Sequence, residues 1–393
     1  MASSAADPNA FTPKVVALRH RMLAALVGCH GINDFYALVI PVMVPAIQQS
    51  FGLSYFAVAI VPFLSQATSA ILQPTVGYLA DRYAWRRPAL AFGFLALSIA
   101  MLGLAVSQSY LALLVAAVCL GVGASTYHPQ SATLLRSYFE RRIRGFAQGV
   151  HGIGNAVGFV LAPIVVGFLL RHLNWHQAAL WLSLPALFGV AIVVIALREP
   201  AIRGHQGLLA GITRPLLLLT AVTGLSLASS STFVNWLPSY FVHHGYSLAS
   251  AAWLTAPTSA AAFIAQPLGG TISDRLGRRT LLVVALLGTA TSLGIFLIAP
   301  SIAWAIALSI IIGFWSSLLP PVIMVYSSEL AAGERTGMAV GIVWGLGTTI
   351  SALALPLTGR IIDVTGGRIE SAYAALTVVA VLAALLAWRL PGE

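Results

Sequence analysis

Three polar side chains lie close together inside the first long apolar stretch of this sequence: His30, Asn33 and Asp34. His30 precedes Asp34 by four residues, so in a helix the imidazole and the carboxylate would share one face. A charge inside an apolar stretch that crosses a bilayer costs about 2.5–3.5 kcal/mol, and such residues usually mark an ion pathway. The pair is therefore predicted to exchange a proton near physiological pH. The alternative is a neutral or ion-paired cluster that only fixes this helix against its neighbours.

Two further histidines, His128 and His151, lie in later apolar stretches of the same half of the chain. At about 1.5 Å per helical residue, they and His30 are placed roughly 9–12 Å from the same ends of their helices. A common depth predicts one shared vestibule, in which Asp34, His30, His128 and His151 handle protons. Structural histidines bonded to backbone carbonyls are the alternative. Zinc is not favoured, because these histidines have neither a His-x-x-x-His spacing nor a neighbouring cysteine.

One stretch of the sequence is written twice. QPTVGYLADR, which begins at Gln73, returns as QPLGGTISDR from Gln266, at an offset of 193 residues. Such a repeat predicts two copies of one unit of about half the chain. The second copy has neither histidine nor carboxylate at the positions that correspond to His30 and Asp34, and it offers amides and aromatic rings instead. Proton handling is therefore assigned to the first half, and contact with the substrate body to the second.

The predicted substrate site combines polar residues of the first half with amides and aromatic rings of the second. Its members are His30, Asn33, Asp34, Tyr36, His128, Gln130, His151, Asn155, Asn235, Trp236, Tyr240, Gln266, Trp315, Tyr326 and Trp344. Aromatic residues at helical spacing usually pack, so packing is the alternative for each of them. No Lys or Arg lies deep in an apolar stretch. Selectivity for an anion would thus rest on partly protonated histidines, and anion transport is predicted to weaken as the pH rises past about 6.5.

Composition indicates a membrane protein. Charged residues make up 8% of the 393 residues and apolar residues 59%, whereas soluble domains have about 25% and 45–50%. The net charge of +10 is distributed singly or in short clusters between apolar runs, which argues against a nucleic-acid surface. Cys29 and Cys119 lie inside apolar stretches, so neither a disulfide nor a metal site is predicted from them. The first apolar run lacks an evident cleavage site and is expected to be an uncleaved span.

The apolar runs predict transmembrane helices. About 20 apolar residues cross a bilayer as a helix, which satisfies its own backbone hydrogen bonds there. Twelve spans are predicted, at 22–49, 54–80, 88–107, 110–137, 144–171, 176–197, 213–242, 248–272, 279–299, 302–330, 336–361 and 370–389. The predicted fold class is an all-α membrane protein with twelve transmembrane helices in two parallel six-helix repeats. The predicted domains, 1–197 and 213–393, are joined by a linker at 198–212.

Basic residues set the predicted orientation of these spans. Most of the 21 Lys and Arg residues lie near the N-terminus, in the linker, and in the loops between spans 2 and 3, 4 and 5, and 8 and 9. We refer to this face of the molecule as the arginine-rich side. Because basic loops remain on the cytoplasmic side of a membrane, this side and both termini are predicted to be cytoplasmic.

The loop that follows each copy of the repeat resembles the GxxxDRxGRR signature of the major facilitator superfamily, and the resemblance covers essentially the whole chain. The second copy matches the signature, whereas the first has one extra residue and lacks the inner glycine. The resemblance implies that these residues brace the cytoplasmic side when such a transporter opens outward. A role in topology alone is the alternative. The implied gate residues are Gly77, Asp81, Arg82, Arg86, Arg87, Gly270, Asp274, Arg275, Arg278 and Arg279.

A narrower resemblance comes from three polar segments of the first half. HGINDFY, YHPQS and HGIGN resemble the fosmidomycin-resistance group of bacterial exporters, and they occupy residues 30–36, 127–131 and 151–155. The chain differs from that group at Gln130, where an acidic residue is expected, and at His151. Span 5 is similar to the antiporter signature of the superfamily, with Gly158 and Gly167 in place. The resemblance implies an exporter in a bacterial inner (plasma) membrane.

These features predict a secondary active transporter that works by alternating access. Proton-coupled export (antiport) of a small organic or drug-like compound, which can be anionic, is the predicted function, and the proton gradient is the expected energy source. No enzymatic activity, cofactor or metal is expected. The predicted partners are a small-molecule substrate, protons and the lipid bilayer, without nucleic acid, and the protein is expected to function as a monomer.

Other functions are open at this stage. A proton-coupled importer (symporter) of a small organic solute would have the same fold. A membrane sensor that binds a ligand without transporting it is less favoured, because the short tails leave no room for a signalling domain. An intramembrane hydrolase is remote, since the histidines lack a nucleophile with the right neighbours.

Overall fold

The computed structural model describes residues 13–199, 213–331 and 336–392, and within these ranges every regular element is an α-helix. The helices are α1 (Pro13–Phe51), α2 (Tyr55–Tyr83), α3 (Arg86–Ala105), α4 (Tyr110–Ala124), α5 (Tyr127–Tyr138), α6 (Arg141–His172), α7 (Trp175–Trp181), α8 (Leu184–Ala196), α9 (Arg214–His243), α10 (Leu248–Ala260), α11 (Ala262–Leu276), α12 (Arg278–Phe296), α13 (Ile302–Ser317), α14 (Leu319–Glu329), α15 (Thr336–Ala352), α16 (Ala354–Val364) and α17 (Ile369–Ala387). The predicted all-α class is confirmed. Residues 200–212 of the predicted linker lie outside the described ranges.

The predicted number of spans is confirmed as well. In the described ranges, twelve helical stretches are long and apolar enough to cross a membrane. Several of them contain two helices that meet at a bend. In span 4 the bend follows α4 at Ser125, and in span 10 it follows α13 at Leu318. Ser125 and Leu318 are 193 residues apart, and each bend is followed by a proline, which lacks the N–H needed to continue a helix. Both halves therefore bend at the same position of the repeat.

The first and fifth spans pack with their backbones in close contact. α1 and α6 meet at Gly31, Gly154 and Gly158, and a Cβ atom on Gly154 or Gly158 would lie 2.3 Å from a carbonyl oxygen of α1. Small residues permit such an approach, because no side chain separates the two backbones. Polar side chains on α1 and α6 therefore face each other at short range.

The two halves pack against each other on the side opposite the arginines. α6 contacts α10, the first part of span 8, and α2 contacts α16, the last part of span 11. Trp253 donates from Nε1 to the carbonyl of Ile164 at 3.2 Å. A Cβ atom on Gly359 would lie 2.6 Å from the carbonyl oxygen of Tyr55. This conformer is therefore closed on the side opposite the arginines.

A carboxylate of the second half caps a helix of the first. Asp363, near the end of α16, accepts hydrogen bonds from the backbone N–H groups of Tyr55 at 2.8 Å and Phe56 at 2.9 Å. The Ser54 hydroxyl accepts from the N–H of Ala57 at 3.1 Å. The first N–H groups of a helix have no partner within it and carry partial positive charge. Asp363 therefore ties span 11 to the start of span 2.

Candidate functional site

Three helices of the first half position the predicted polar residues. The bend before α5 brings its first turn next to α1, and α6 completes the site from the other side. These helices carry Asp34 and His30 on α1, His128 on α5, and His151 and Asn155 on α6. The structure thus brings the three histidines together around Asp34, and their functional roles remain predictions.

The Asp34 carboxylate is 3% exposed and is surrounded by hydrogen-bond donors. Asn33 donates from Nδ2 to Oδ1 at 2.7 Å, and Asn155 donates from Nδ2 to Oδ2 at 2.5 Å. His30 Nε2 lies 3.1 Å from Oδ2, and His128 Nε2 lies 3.8 Å from Oδ1. A buried charge is tolerated only when it is paired and hydrogen-bonded. Asp34 therefore holds together the facing surfaces of α1, α5 and α6.

The contacts of His30 require a proton between its ring and Asp34. His30 Nδ1 lies 2.9 Å from the backbone carbonyl of His151, which can only accept, so Nδ1 carries a hydrogen. A neutral ring would then present the Nε2 lone pair to a carboxylate oxygen, which also offers only lone pairs. The 3.1 Å contact between Nε2 and Oδ2 therefore contains a proton. The pair therefore holds one proton, which lies between the imidazole of His30 and the carboxylate of Asp34.

Tyr127 belongs to the same cluster but was not among the predicted site residues. Its hydroxyl donates to the carbonyl of Leu26 at 2.6 Å, so His151 Nε2, 2.8 Å away, must donate to the Tyr127 oxygen. The ring of His151 stacks on that of His30, with centroids 4.2 Å apart. Two stacked cations would repel each other, so His151 is neutral. The available signal was the position of Tyr127 directly before His128.

His128 is the most exposed histidine of the cluster. Its side chain is 46% exposed, whereas Asp34 and His30 are buried. Its ring meets the His30 ring edge-on, with centroids 5.7 Å apart. In the part of the chain that the structure describes, no group of three His, Cys, Asp or Glu side chains is arranged to hold a metal ion. His128 is the cluster residue best placed to exchange protons or meet a ligand.

The polar cluster extends into the second half through Gln266. Gln266 donates from Nε2 to Oδ1 of Asn155 at 3.2 Å, and Asn155 contacts Asp34 directly. Asn235, another predicted amide, donates instead to the carbonyl of Ser231 on its own helix at 2.8 Å. Of the predicted amides of the second half, Gln266 is thus the one linked to the Asp34 carboxylate, through Asn155.

The two predicted aromatic residues of span 7 lie in packed surroundings. Trp236 donates from Nε1 to Oγ1 of Thr358 at 2.9 Å, and its ring lies beside Tyr55, with centroids 5.8 Å apart. Tyr240 packs among aromatic residues that include Tyr373, with centroids 5.9 Å apart. Packing accounts for both rings in this conformer.

Three further predicted aromatic residues are also held within one half. The Tyr36 hydroxyl donates to the carbonyl of Leu182 at 2.6 Å, inside the first half. The Tyr326 hydroxyl donates to the carbonyl of Pro391 at 2.5 Å, near the end of the described chain. Trp315 lies over a glycine of span 9, where a Cβ atom would be 2.4 Å from its ring. Their polar or aromatic surfaces are occupied by intramolecular packing.

Several buried polar atoms of predicted site residues have no hydrogen-bond partner within the described ranges. Gln130 is 0% exposed and neither its amide oxygen nor its amide nitrogen is bonded. The same holds for Trp344 Nε1, Asn33 Oδ1 and His151 Nδ1, which are buried and have no hydrogen-bond partner in the described ranges. Buried polar atoms of this kind normally bond to protein, ordered water or a ligand. These atoms mark where water or substrate would complete the hydrogen bonding.

The first repeated loop is held by contacts within the first half and with the start of the linker. Arg86 is 0% exposed, and its guanidinium contacts Asp81 at 2.8 Å and Glu199 at 3.1 Å. The backbone N–H of Arg87 donates to Glu199 at 2.7 Å. Ala84 ends α2 with a φ of 55°, the left-handed conformation that glycine favours. Ala84 stands at the position of Gly277 in the repeat, and both residues have a positive φ, although their ψ angles differ.

The second repeated loop has the same arrangement. Arg278 contacts Asp274 at 2.5 Å and Glu329 at 3.3 Å, and Arg279 donates to the carbonyl of Leu390 at 3.3 Å. All of these contacts lie within the second half. The remaining predicted gate residues lie on α2 and α11 and are Gly77, Arg82, Gly270 and Arg275. The predicted brace between the halves would therefore belong to a different conformer, and it remains a prediction.

Comparison with known protein families identifies the class of the protein. The model of the Major Facilitator Superfamily matches residues 26–262 and 219–393, which include both halves of the repeat. The chain belongs to the Major Facilitator Superfamily, a family of membrane transporters and not of enzymes.

Two relatives cover nearly the whole chain. It is 28% identical over 371 residues to the fosmidomycin resistance protein of Escherichia coli (strain K12), covering 90% of this chain and 88% of the relative. It is 27% identical over 379 residues to the uncharacterized MFS-type transporter YfnC of Bacillus subtilis (strain 168), covering 91% and 90%. A crystal structure of a bacterial homologue of the human lysosomal transporter Spinster, inward-facing and occupied, superimposes with a TM-score of 0.77 at 18% identity, over 94% of this chain and 96% of that one. This likeness shows the shared fold.

Proposed function

We propose that this transporter is a proton-coupled antiporter that exports a small organic or drug-like compound, including anionic ones, from the cytoplasm. The observation that carries the proposal is the buried Asp34 carboxylate, which shares a proton with His30 and lies beside the partly exposed His128. Ionisable residues inside membrane-spanning segments are costly, and they typically line proton or substrate pathways. A site of this kind can bind a proton in one conformer and release it in the other.

Alternating access supplies the transport cycle. The two six-helix halves rock about a site near the middle of the membrane, which opens to one side at a time. In the present conformer the halves are closed on the side opposite the arginines, and Asp34 is a carboxylate that accepts several hydrogen bonds. In the opposite conformer Asp34 takes up a proton from outside. The return to the present conformer releases that proton to the arginine-rich side, which the positive-inside rule places in the cytoplasm.

The exposed histidine of the cluster is suited to a polar or anionic substrate. His128 lies beside the His30–Asp34 pair, its side chain is partly exposed, and its imidazole can donate a hydrogen bond to a ligand, a charge-assisted one when the ring is protonated. One relative is a fosmidomycin resistance protein. That name supports export of a drug-like compound here, and it makes fosmidomycin the first compound to test.

Transport by the purified protein in proteoliposomes tests the proposal. A thermal-shift screen with fosmidomycin, other phosphonates, carboxylates and lipophilic cations first selects a ligand that stabilises the protein. Flux of that ligand is then measured with and without an imposed pH gradient. The expected result is accumulation of substrate against its gradient when protons flow in the opposite direction. Accumulation in the same direction as protons would identify an importer, and flux that ignores the gradient would refute proton coupling.

The Asp34→Asn variant tests the role of the carboxylate. It keeps the size and much of the hydrogen bonding of Asp34 but cannot exchange a proton. Gradient-driven flux is expected to fall by about tenfold or more, since the amide has no titratable proton and intramembrane carboxylates of this kind line proton pathways. Glu370→Gln is the matched control, because Glu370 is a carboxylate that contacts His244 within the second half at 3.9 Å. Gradient-driven flux of Asp34→Asn equal to that of the control would remove Asp34 from the mechanism.

A further inference from the structure

A short chain of amides links the buried carboxylate to the other half of the protein. Gln266 on α11 donates from Nε2 to Oδ1 of Asn155 at 3.2 Å. Asn155 on α6 donates from Nδ2 to Oδ2 of Asp34 at 2.5 Å. Gln266 belongs to the second half, whereas Asn155 and Asp34 belong to the first. The hydrogen bond between Asn155 and Gln266 is therefore a joint between the halves at the level of the cluster.

The charge on Asp34 fixes the direction of every hydrogen bond in this chain. A carboxylate oxygen only accepts, so Asn155 must turn its NH₂ group toward Asp34 and its oxygen toward the second half. That oxygen in turn requires a donor, which Gln266 provides. If Asp34 gains a proton on Oδ2, its hydroxyl becomes a donor and needs an acceptor. The Asn155 amide would then turn its oxygen toward Asp34 and its NH₂ toward the NH₂ of Gln266, and the present hydrogen bond would be lost unless the Gln266 amide turned over as well.

The repeat shows that this use of the glutamine is particular to the second half. Gln73 occupies the same position in the first copy, and it donates from Nε2 to the hydroxyl of Ser69 on its own helix at 3.2 Å. The residue that corresponds to Asn155 in the second half is Thr348, which has no amide. The two glutamines are thus identical in sequence context and differ in what they contact. Gln73 provides an internal control for Gln266.

Other groups around Asp34 act on its charge from the first half. His30 and His128 contact the carboxylate, and His151 and Tyr127 stack on His30. From α11 the group that faces the cluster is the neutral amide of Gln266. The charge on Asp34 therefore acts on the second half through the orientation of the Asn155 amide, which contacts Gln266, and not through a charged residue on α11.

We propose that Asn155 and Gln266 are positioning residues that transmit the protonation state of Asp34 to the packing of the two halves. With Asp34 charged, the joint is made and supports the present conformer. With Asp34 protonated, the hydrogen bond from Gln266 to Asn155 loses its acceptor, the present conformer loses this support, and the other conformer gains population. This inference rests on the proposed function only in that Asp34 exchanges a proton during transport.

The test measures the spacing of the halves as a function of pH. Spin labels are placed at Tyr83→Cys and Leu276→Cys, two exposed positions that correspond to each other in the repeat on the arginine-rich side. In the otherwise native protein, lowering the pH from about 8 to about 5.5 is expected to change the ratio of the two conformers by about fivefold or more, within the usual range of coupling between sites. Gln266→Ala is expected to remove most of this pH dependence, and Gln73→Ala to retain it.

A second set of variants covers the case in which Gln266→Ala does not fold. Asn155→Ala removes the same joint from the other side and is expected to have the same effect. Gln266→Asn keeps an amide on a shorter side chain and is expected to restore part of the pH dependence. The proposal is overturned if the conformer ratio of the native protein does not respond to pH, or if both alanine variants respond as Gln73→Ala does.

Flux measurements separate this proposal from the proposed function. The native protein can show gradient-driven flux while Gln266→Ala and Asn155→Ala keep the native pH response of the spacing. That result would refute the role of the joint and would still support proton coupling. Conversely, both alanine variants can abolish the pH response of the spacing while flux does not depend on the pH gradient. That result would support the role of the joint and refute proton-coupled transport.

Discussion

The contact between Asp363 and the start of α2 is expected to control which side of the transporter is closed. Asp363 accepts the N–H groups of Tyr55 and Phe56, and it is the group of the second half that caps a helix of the first half on that side. In a conformer that opens there, span 2 must separate from span 11, and these two hydrogen bonds are lost. Asp363→Ala is therefore expected to favour opening on the side opposite the arginines.

The expected magnitude follows from the geometry of the contact. The two hydrogen bonds are 2.8 Å and 2.9 Å long and have a charged acceptor. Because Asp363 is partly exposed, water replaces part of this interaction when the contact opens. Loss of a capping carboxylate costs about 0.5–2 kcal/mol, and the partial charge of the helix terminus lies within the same range. A change of about 0.5–2 kcal/mol corresponds to about a 2–30-fold shift between two states.

Distances between spin labels measure this shift directly. Gln49 lies in the last turn of α1 and His243 is the last residue of α9. Both are exposed, and they lie on the closed side in different halves. Labels at Gln49→Cys and His243→Cys report the separation of the two halves on this side. Asp363→Ala is expected to increase the population with the longer distance by the factor given above. Asp363→Asn, which keeps one acceptor oxygen, is expected to lie between the alanine variant and the native protein.

Glu370→Gln separates the capping effect from a general effect of charge. Glu370 lies on the same side and contacts His244, and both belong to the second half. Removing its charge should leave the distance distribution close to that of the native protein. If Asp363→Ala and Glu370→Gln behave alike, the capping contact does not control closure and the reasoning is wrong.

Two substitutions of small residues test the packing of the fold by thermal unfolding in detergent. Ala84→Gly is expected to stabilise the protein by about 1 kcal/mol, because glycine adopts the left-handed conformation at φ 55° without strain. A lower unfolding temperature of this variant would contradict the expectation. Gly158→Ala is expected to destabilise it by about 1–3 kcal/mol, since the new Cβ would lie 2.3 Å from the carbonyl oxygen of Gly31. Gly152→Ala is the control, because no neighbouring atom of the described structure lies within 4 Å of a Cβ at that position. Equal effects of the two variants would refute the close contact of α1 and α6.

The spans and the repeat could be predicted because they depend on local composition. A run of apolar residues forms a helix in a bilayer whatever its neighbours, and the offset of 193 residues is visible without a structure. The bends at Ser125 and Leu318 were not predicted, although prolines follow both of them. A proline in a span permits a bend, and the packing of neighbouring helices decides where it occurs.

The common depth of His30, His128 and His151 could be predicted because the rise of a helix per residue is constant. The contact between Asp363 and Tyr55 could not, because 308 residues separate them. A carboxylate at the end of an apolar run has many possible partners, and only the assembled halves select one. The rotation of span 10 beyond its bend could not be predicted from the sequence either. Tyr326 was predicted to face the substrate, whereas its hydroxyl donates to the carbonyl of Pro391.

The close contact of α1 with α6 has a practical consequence for labelling this protein. Cys29 lies on α1 next to His30, is 0% exposed, and is on the stretch of helix that Gly31 and Gly154 hold against α6. Helices in backbone contact move together, so rocking of the halves would not uncover this thiol. Cys119 is partly exposed. Maleimide reagents are therefore expected to spare Cys29, any background labelling is expected to come from Cys119, and replacing Cys119 alone would give a background for single-cysteine experiments.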